Sequence, residues 1–314
     1  MLPARVEWPT VAVAVAIWAG FALVVTQHDR LPTAVVVVLL AVLAAWYGSL
    51  QHEVIHGHPT PWRIVNTALA AVPLGLVVPF TAYRDSHLAH HAAPDLTVPG
   101  LDPESFYVDA ATWERCGPVR RAVLRSLRTL AGRVVLGPFV QAATCWRGLI
   151  RQAGSPRGAV ALATHIAGVV VVMMLVGAAG LSPWVYVLGA AWLGGGLALV
   201  RSFVEHRWTA AGTRSAVVEA GPAMSLLFLN NNLHHSHHAR PGIAWFRLPA
   251  AHRSMGGAAE AAEGAGLYAG YGEVVRRYLV RPFDAPVVRA VPPMASPSPV
   301  DASAAAMPQP ATAR

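Results

Sequence analysis

Four stretches of the chain carry almost no polar side chain: Thr10–Thr26, Thr33–Leu50, Ala159–Ala179 and Pro183–Val204. A helix needs about 20 apolar residues to cross the hydrocarbon of a bilayer, so each stretch predicts a transmembrane helix. Gln27–Pro32 joins the first two and Gly180–Ser182 joins the last two. Connections this short make each pair a hairpin that returns to the side it left. Two further apolar stretches behave differently. Ile64–Tyr83 contains Pro73, Gly75 and Pro79, residues that break or kink a helix. If it crossed the membrane, His52 and His56 before it and His87, His90 and His91 after it would face opposite sides. A re-entrant or surface-lying segment keeps them together, and that is the expectation here. Val134–Trp146 is too short to span and is expected in the interface. The fold class that follows is an all-α integral membrane protein, with four transmembrane helices in two hairpins. Interfacial or re-entrant helices and a cytoplasmic histidine-rich cap complete it. Residues 1–283 form the membrane domain, and 284–314, rich in Pro, Ala and Ser, read as a disordered tail.

Composition supports the membrane reading. Only 13% of residues are charged and 54% are hydrophobic, whereas a soluble domain is about a quarter charged. All 24 basic residues are arginine, which we read as genomic base bias. A pI near 10.3 would suit nucleic acid, but the arginines lie beside the apolar runs. They concentrate in Arg115–Arg133, Arg147–Arg157, Arg201–Arg214 and Arg240–Arg281, while the two tight outer loops hold only Arg30. The positive-inside rule places those segments, and both termini, in the cytoplasm, and no nucleic-acid partner is expected. The first apolar run ends in Thr26-Gln27-His28-Asp29-Arg30 with no small-residue cleavage pattern, so it reads as a retained anchor. Cys116 and Cys145 offer neither a disulfide framework nor a cysteine metal site.

The chemistry lies in the histidines. Ten of the 14 fall in three clusters: HEVIHGH (His52, His56, His58), HLAHH (His87, His90, His91) and HHSHH (His234, His235, His237, His238). His206 stands alone just past the last span. On the topology above, all four groups meet at one membrane face. Residues at i, i+3 and i+4 share one side of a helix, so each cluster presents two or three imidazoles to one point. Neutral imidazole suits Fe, Zn, Cu or Ni. HEVIH also matches the zinc-protease pattern, in which the glutamate is the general base. One tetrahedral zinc, however, takes three protein ligands and a water, which leaves most of these imidazoles without a role. The spans also lack the aspartate that an intramembrane protease would use. Nine imidazoles fit two metals with four or five ligands each. A third reading is a non-enzymatic membrane metal carrier or heme protein; heme ligation would want paired histidines within facing spans, and only His165 lies in one. His58 points away from His56, His28, His165 and His252 read as packing or surface residues, and His235 is offset from the i, i+3, i+4 set.

The order HxxxH, HxxHH, HxxHH, with an extra histidine before the last box, resembles the membrane histidine-box di-iron enzymes. The bacterial fatty acid desaturases are the nearest branch. HGHPT after the first box, YRDSHLAHH at the second, LDPES beyond it and NNNLHHSHHARPGIAWFRLP around the third look like them too. The likeness covers roughly Trp46 to Pro282. It implies iron ligation by His52, His56, His87, His90, His91, His206, His234, His237 and His238, which would also be the catalytic set. It further implies two iron ions, O2 as co-substrate and electrons from an external, ferredoxin-type donor. Gly57-His58-Pro59 lacks the glycines of a fused cytochrome b5 heme motif. The implied activity is that of an oxidoreductase introducing a C=C bond into a fatty acyl chain, in a bacterial inner membrane, with its site cytoplasmic. Glu53 becomes an orienter of an imidazole, and Asn231 and Asn232 become hydrogen-bonding groups near the site. Arg120, Arg121, Arg125 and Arg128 would dock an acidic electron carrier or contact anionic headgroups. The first box has three residues between its histidines where animal acyl-CoA desaturases have four. The third begins with His234 where front-end desaturases have glutamine. Of the alkane hydroxylase signature only Glu205-His206 survives. The same ligand set serves a di-iron hydroxylase of an acyl, carotenoid or sterol-like lipid, which is the alternative reading. Position of attack, chain length, acyl carrier, donor identity and oligomeric state are open at this point.

Overall fold

The computed structural model describes residues 2–288 and is mostly helical, with almost no sheet. The first hairpin is α1 (Trp8–Thr26) and α2 (Thr33–Ile55), turned by a short 3-10 segment at His28–Arg30. After it come α3 (Arg63–Ala70), α4 (Phe80–His91), α5 (Ala110–Arg115), α6 (Pro118–Ser126) and α7 (Leu130–Gln152). The second hairpin begins with α8 (Pro156–Ala178). It returns through a continuous helical run made of α9 (Pro183–Tyr186), a π-helical stretch at Val187–Leu193 and α10 (Gly194–Glu205). Among the described residues, helices α1, α2, α8 and the run Pro183–Glu205 are the four long and apolar enough to cross a membrane. The chain is an integral membrane protein of the expected all-α class.

Helix α2 runs five residues past the expected Leu50, because nothing between Gln51 and Ile55 opposes a helix. It stops where Gly57 takes a φ of 102°, a left-handed conformation that only glycine adopts without strain. The extension carries His52 and Glu53 on the helix and leaves His56 at its cap. Val134–Trp146 is likewise only the middle of a longer helix, the 23-residue α7, which keeps Pro138 in its interior.

Ile64–Tyr83 does not form one helix. Residues 71–79 between α3 and α4 are irregular, and Leu76 has a φ of 61°. Non-helical backbone at membrane depth survives only where protein satisfies its polar groups. The spans do so here. Tyr47 Oη donates to the Val72 carbonyl at 2.7 Å and Tyr186 Oη to that of Leu74 at 2.9 Å. Gln51 Nε2 donates to the Ala70 carbonyl at 2.8 Å, and His165 Nε2 lies 3.1 Å from that of Leu76. His165 is therefore the packing histidine it was expected to be.

The two hairpins meet along α2 and the last span, where small residues bring the backbones together. A Cβ on Gly194 would sit 2.6 Å from Ala44 Cβ and 3.2 Å from the Ala41 carbonyl oxygen, so glycine is required there. Close approach of this kind is the usual route to helix association in lipid. Beyond the last span, α11 (Pro222–Leu227), α12 (His234–Ala239), α13 (Leu248–Met255), α14 (Gly257–Ala262) and α15 (Tyr271–Tyr278) build the cap. Two parallel two-residue pairings stitch it together: β1 (Val108–Asp109) with β4 (Val287–Val288), and β2 (Val217–Val218) with β3 (Leu267–Tyr268). Within the segment expected as tail, Asp284 pairs with Arg128 and Val287–Val288 with β1. Residues 289–314 lie outside the described residues.

Gly194→Val is expected to force α2 and α10 apart and to destabilise by about 1–3 kcal/mol, the usual cost of overpacking. Gly177, with nothing within 4 Å of a built Cβ, is the control. Thermal unfolding in detergent should show a lowered midpoint for Gly194→Val and none for Gly177→Ala.

Candidate metal centre

The nine predicted histidines come from four separate pieces of backbone. His52 lies in the last turn of α2 and His56 caps it, while α4 carries His87, His90 and His91. His206 is the first residue after α10, and α12 carries His234, His237 and His238. Because α2 and α10 both end at this point, they run parallel, and the hairpins place the start of α1 and of α8 at the same end. The structure divides the nine into two groups: His52, His56, His87, His91 and His237 form one, and His90, His206, His234 and His238 the other. In each, one candidate ligand atom per residue lies within 4.8 Å of every other.

In the group of four, the Nε2 atoms close a ring. The separations are 3.0 Å for His90–His206, 2.9 Å for His206–His234, 3.1 Å for His234–His238 and 3.2 Å for His238–His90. In the group of five, Nε2 contacts run His56–His87 at 3.2 Å, His87–His91 at 3.1 Å and His91–His237 at 3.1 Å.

The opposite ring nitrogens decide what these contacts are. His90 Nδ1 is 2.7 Å from Asp102 Oδ1, and His87 Nδ1 is 3.2 Å from Glu104 Oε2. His206 Nδ1 is 3.1 Å from the Arg214 carbonyl, and His234 Nδ1 is 3.1 Å from Asn231 Oδ1. Carboxylate, carbonyl and amide oxygens only accept, so each of these Nδ1 atoms carries a hydrogen, and in a neutral ring Nε2 keeps a bare lone pair. In the group of four, His206 and His234 are held neutral and thus face each other lone pair to lone pair, at 2.9 Å. No hydrogen can bridge that contact, whereas a shared cation satisfies it. A flat ring of that edge has a centre about 2.2 Å from each corner, close to the roughly 2.0–2.1 Å of a bond from imidazole nitrogen to zinc. The residues fit a metal. Imidazole donors are compatible with iron, zinc, copper or nickel, and five ligands on one ion exceed the usual tetrahedral zinc set.

The surroundings keep most of the rings neutral, as ligation requires. Burial, then the nearby His87 and His91, push His56 down to about 2. Burial with His87 and His90 takes His91 to about 3, and burial with His90 takes His206 to about 3. His234, His237 and His238 are held well below the ordinary range, first by burial and then by neighbouring imidazoles, His206 for His234 and His238 and His56 for His237. His90 is the exception. Burial opposes its charge, but the Asp102 hydrogen bond, with Glu104 and Asp102 as neighbouring charges, moves it upward.

Several expectations about neighbouring residues are corrected. Glu53 is buried, but its Oε2 accepts from the Trp245 backbone N–H at 3.1 Å. It anchors the loop after the third box rather than orienting an imidazole. Asn231 meets both histidine groups, with Nδ2 3.5 Å from His52 Nε2 and Oδ1 3.1 Å from His234 Nδ1. Asn232 instead donates to the Val218 carbonyl at 2.7 Å, away from the rings. Arg128 cannot dock a partner, being buried on Asp284 and Tyr107. His235 stays outside the site on Thr213, Ser215 and Glu260, and His252 bonds Ser236. The sequence reading missed Asp102 and Glu104 as orienting groups. Their signal was the quoted LDPES, whose two carboxylates follow the second box at a distance that lets the loop turn back.

The sequence model of the family described as fatty acid desaturase matches residues 30–268, which include all nine histidines with Asp102, Glu104 and Asn231. No curated protein matches the chain.

Removing one corner of the ring of four should release its ion: His206→Ala is expected to lower bound metal, while His252→Ala keeps it. Asp102→Ala leaves every imidazole in place but frees His90 to rotate. It is expected to weaken metal binding about 10–100-fold, the usual effect of losing such an orienting group. Metal analysis at matched membrane expression, with competition by a chelator, checks both.

Proposed function

The chain belongs to the fatty acid desaturase family, and from that premise we propose that it is a membrane-bound, O2-dependent di-iron desaturase that introduces a C=C bond into an acyl chain. The observation that carries the reading is the pair of imidazole groups, with the His206–His234 contact that no hydrogen bridges. The nine ligands would be His52, His56, His87, His91 and His237 for one iron and His90, His206, His234 and His238 for the other. When bound, the irons would supply the chemistry by which O2, two electrons from a donor, two protons from solvent and the two hydrogens of adjacent C–H bonds give an alkene and two waters.

The chain's own part is to hold and to exclude. Asp102, Glu104, Asn231 and the Arg214 carbonyl fix the tautomer and aim of four rings, so that little reorganisation is left for the moment of reaction. His52, His87, His90, His234 and His237 are each no more than 3% exposed, which keeps bulk water from the reacting carbons. The substrate is a fatty acyl chain that reaches this end of the helices from the bilayer. The arginine distribution supports a cytoplasmic site in a bacterial inner membrane. Arg120 and Arg125 remain on the surface, Arg125 over the Trp113 ring, and support docking of an acidic, ferredoxin-type donor.

Purified protein is expected to carry close to two irons per chain; one tightly held zinc and no iron would overturn the proposal. Turnover should require a reductase and a small iron–sulfur carrier, and O2 with substrate alone should give none. Lipid profiling by mass spectrometry, after expression in a host lacking the gene, should show a new unsaturated acyl chain. An alcohol as the sole product would move the chain to the hydroxylases.

A further inference from the structure

A pocket of about 540 Å3 lies between the N-terminal segment and the loop that follows the third histidine box. Its wall takes in residues 2–9, His58 and most of 242–247. We infer that it binds the headgroup of an anionic, hydroxyl-bearing phospholipid. The inference rests on the desaturase reading and deepens it, because it identifies the polar end of the acyl-bearing molecule.

Location is the first argument. Trp8 and Pro9 in the wall form the first turn of α1, and Trp8 is 71% exposed. A tryptophan at a helix end marks the membrane–water boundary, so the pocket opens at headgroup level. It does so at the end of the helices where the histidines gather. The far wall is tied to the metal groups through Trp245, whose backbone N–H bonds Glu53 between His52 and His56. The Trp245 indole N–H bonds Thr10 Oγ1 at 3.1 Å.

Charge is the second. Arg5 and Arg247 are exposed cations in the wall, and Glu7 is its one carboxylate among the described residues. Glu7 is already engaged, since His58 Nδ1 lies 2.7 Å from its Oε2. Two free guanidinium groups suit a phosphate, which they bind in bidentate fashion.

The third argument is an orphan atom. His58 is 3% exposed, and its Nε2 is buried without a hydrogen-bond partner. A carboxylate only accepts, so Nδ1 holds the hydrogen toward Glu7 and Nε2 holds a lone pair. A buried acceptor left unmatched is costly, and a hydroxyl hydrogen would match it. Phosphate beside hydroxyl is the chemistry of a phosphoglycerol headgroup. Choline has no hydrogen to donate, and the ammonium of ethanolamine is repelled by the two arginines.

The test uses detergent-purified, metal-loaded full-length protein titrated with short-chain dihexanoyl phosphatidylglycerol and dihexanoyl phosphatidylcholine. The glycerol lipid should bind at least tenfold more tightly. The double substitution Arg5→Ala/Arg247→Ala should abolish that preference, and both positions are exposed, so folding is spared. Equal binding of the two lipids, or a preference that survives the double substitution, overturns the inference. So does displacement of the glycerol lipid by inorganic phosphate or coenzyme A at equal concentration, which would make the ligand a soluble phosphate. Iron content of the same samples separates the two failures. Two irons without lipid preference sinks only the pocket assignment, whereas absence of iron sinks the desaturase reading itself.

Discussion

Nine crowded imidazoles, five of them buried, cannot satisfy one another. In the ring of four, the hydrogens of His206 and His234 are committed outward to oxygen acceptors, so their bare nitrogens face each other at 2.9 Å. Burying such groups unmatched would cost several kcal/mol, and a metal ion would satisfy both. A cation is the simplest partner that all four share, and its binding free energy would then be part of the folding free energy of the cap. The cap is mostly short helices and two-residue strand pairings, elements with little stability of their own.

Everything around the rings serves to aim them. Two groups of nitrogens come together only if α2 and α10 end at the same height, and that alignment depends on backbone contact at Gly194. The irregular segment between α3 and α4 must deliver His87, His90 and His91 to the same point. It is held by hydrogen bonds from Tyr47, His165 and Tyr186 to its carbonyls, and by Gln51 at the Ala70 carbonyl that ends α3. Side chains of three spans thus set the position of a helix that does not itself cross the membrane.

A second set of contacts closes the cap from outside. Arg128 and Tyr107 hold Asp284, and Tyr107 Oη also accepts from the Trp208 backbone N–H at 2.9 Å. The chain just beyond His206 is fixed through that bond, and the chain beyond Phe283 pairs with β1. Arg128 looked like a surface charge in the sequence because its neighbours Arg120, Arg121 and Arg125 are all arginine. Its burial follows from a carboxylate 156 positions away, which no local pattern announces.

The sequence by itself determined the solvent and the donors. Four long apolar runs require a bilayer, since a soluble fold could not cover them. Helical spacing within HxxxH and HxxHH puts histidines on one face wherever the helix ends up. Pro73, Gly75 and Pro79 forbid a straight span between the first two boxes. These properties are local, set within one or two turns of helix, and so they are legible in one dimension. Tertiary structure alone decided how nine imidazoles divide into five and four, with His90 leaving its neighbours His87 and His91 to join the other group. It also decided that Glu53 secures Trp245 while Asp102 and Glu104 orient the rings, and that His58 turns to Glu7 beside a pocket. Each of these depends on a distance between residues far apart in the chain, and such distances exist only after the helices have packed.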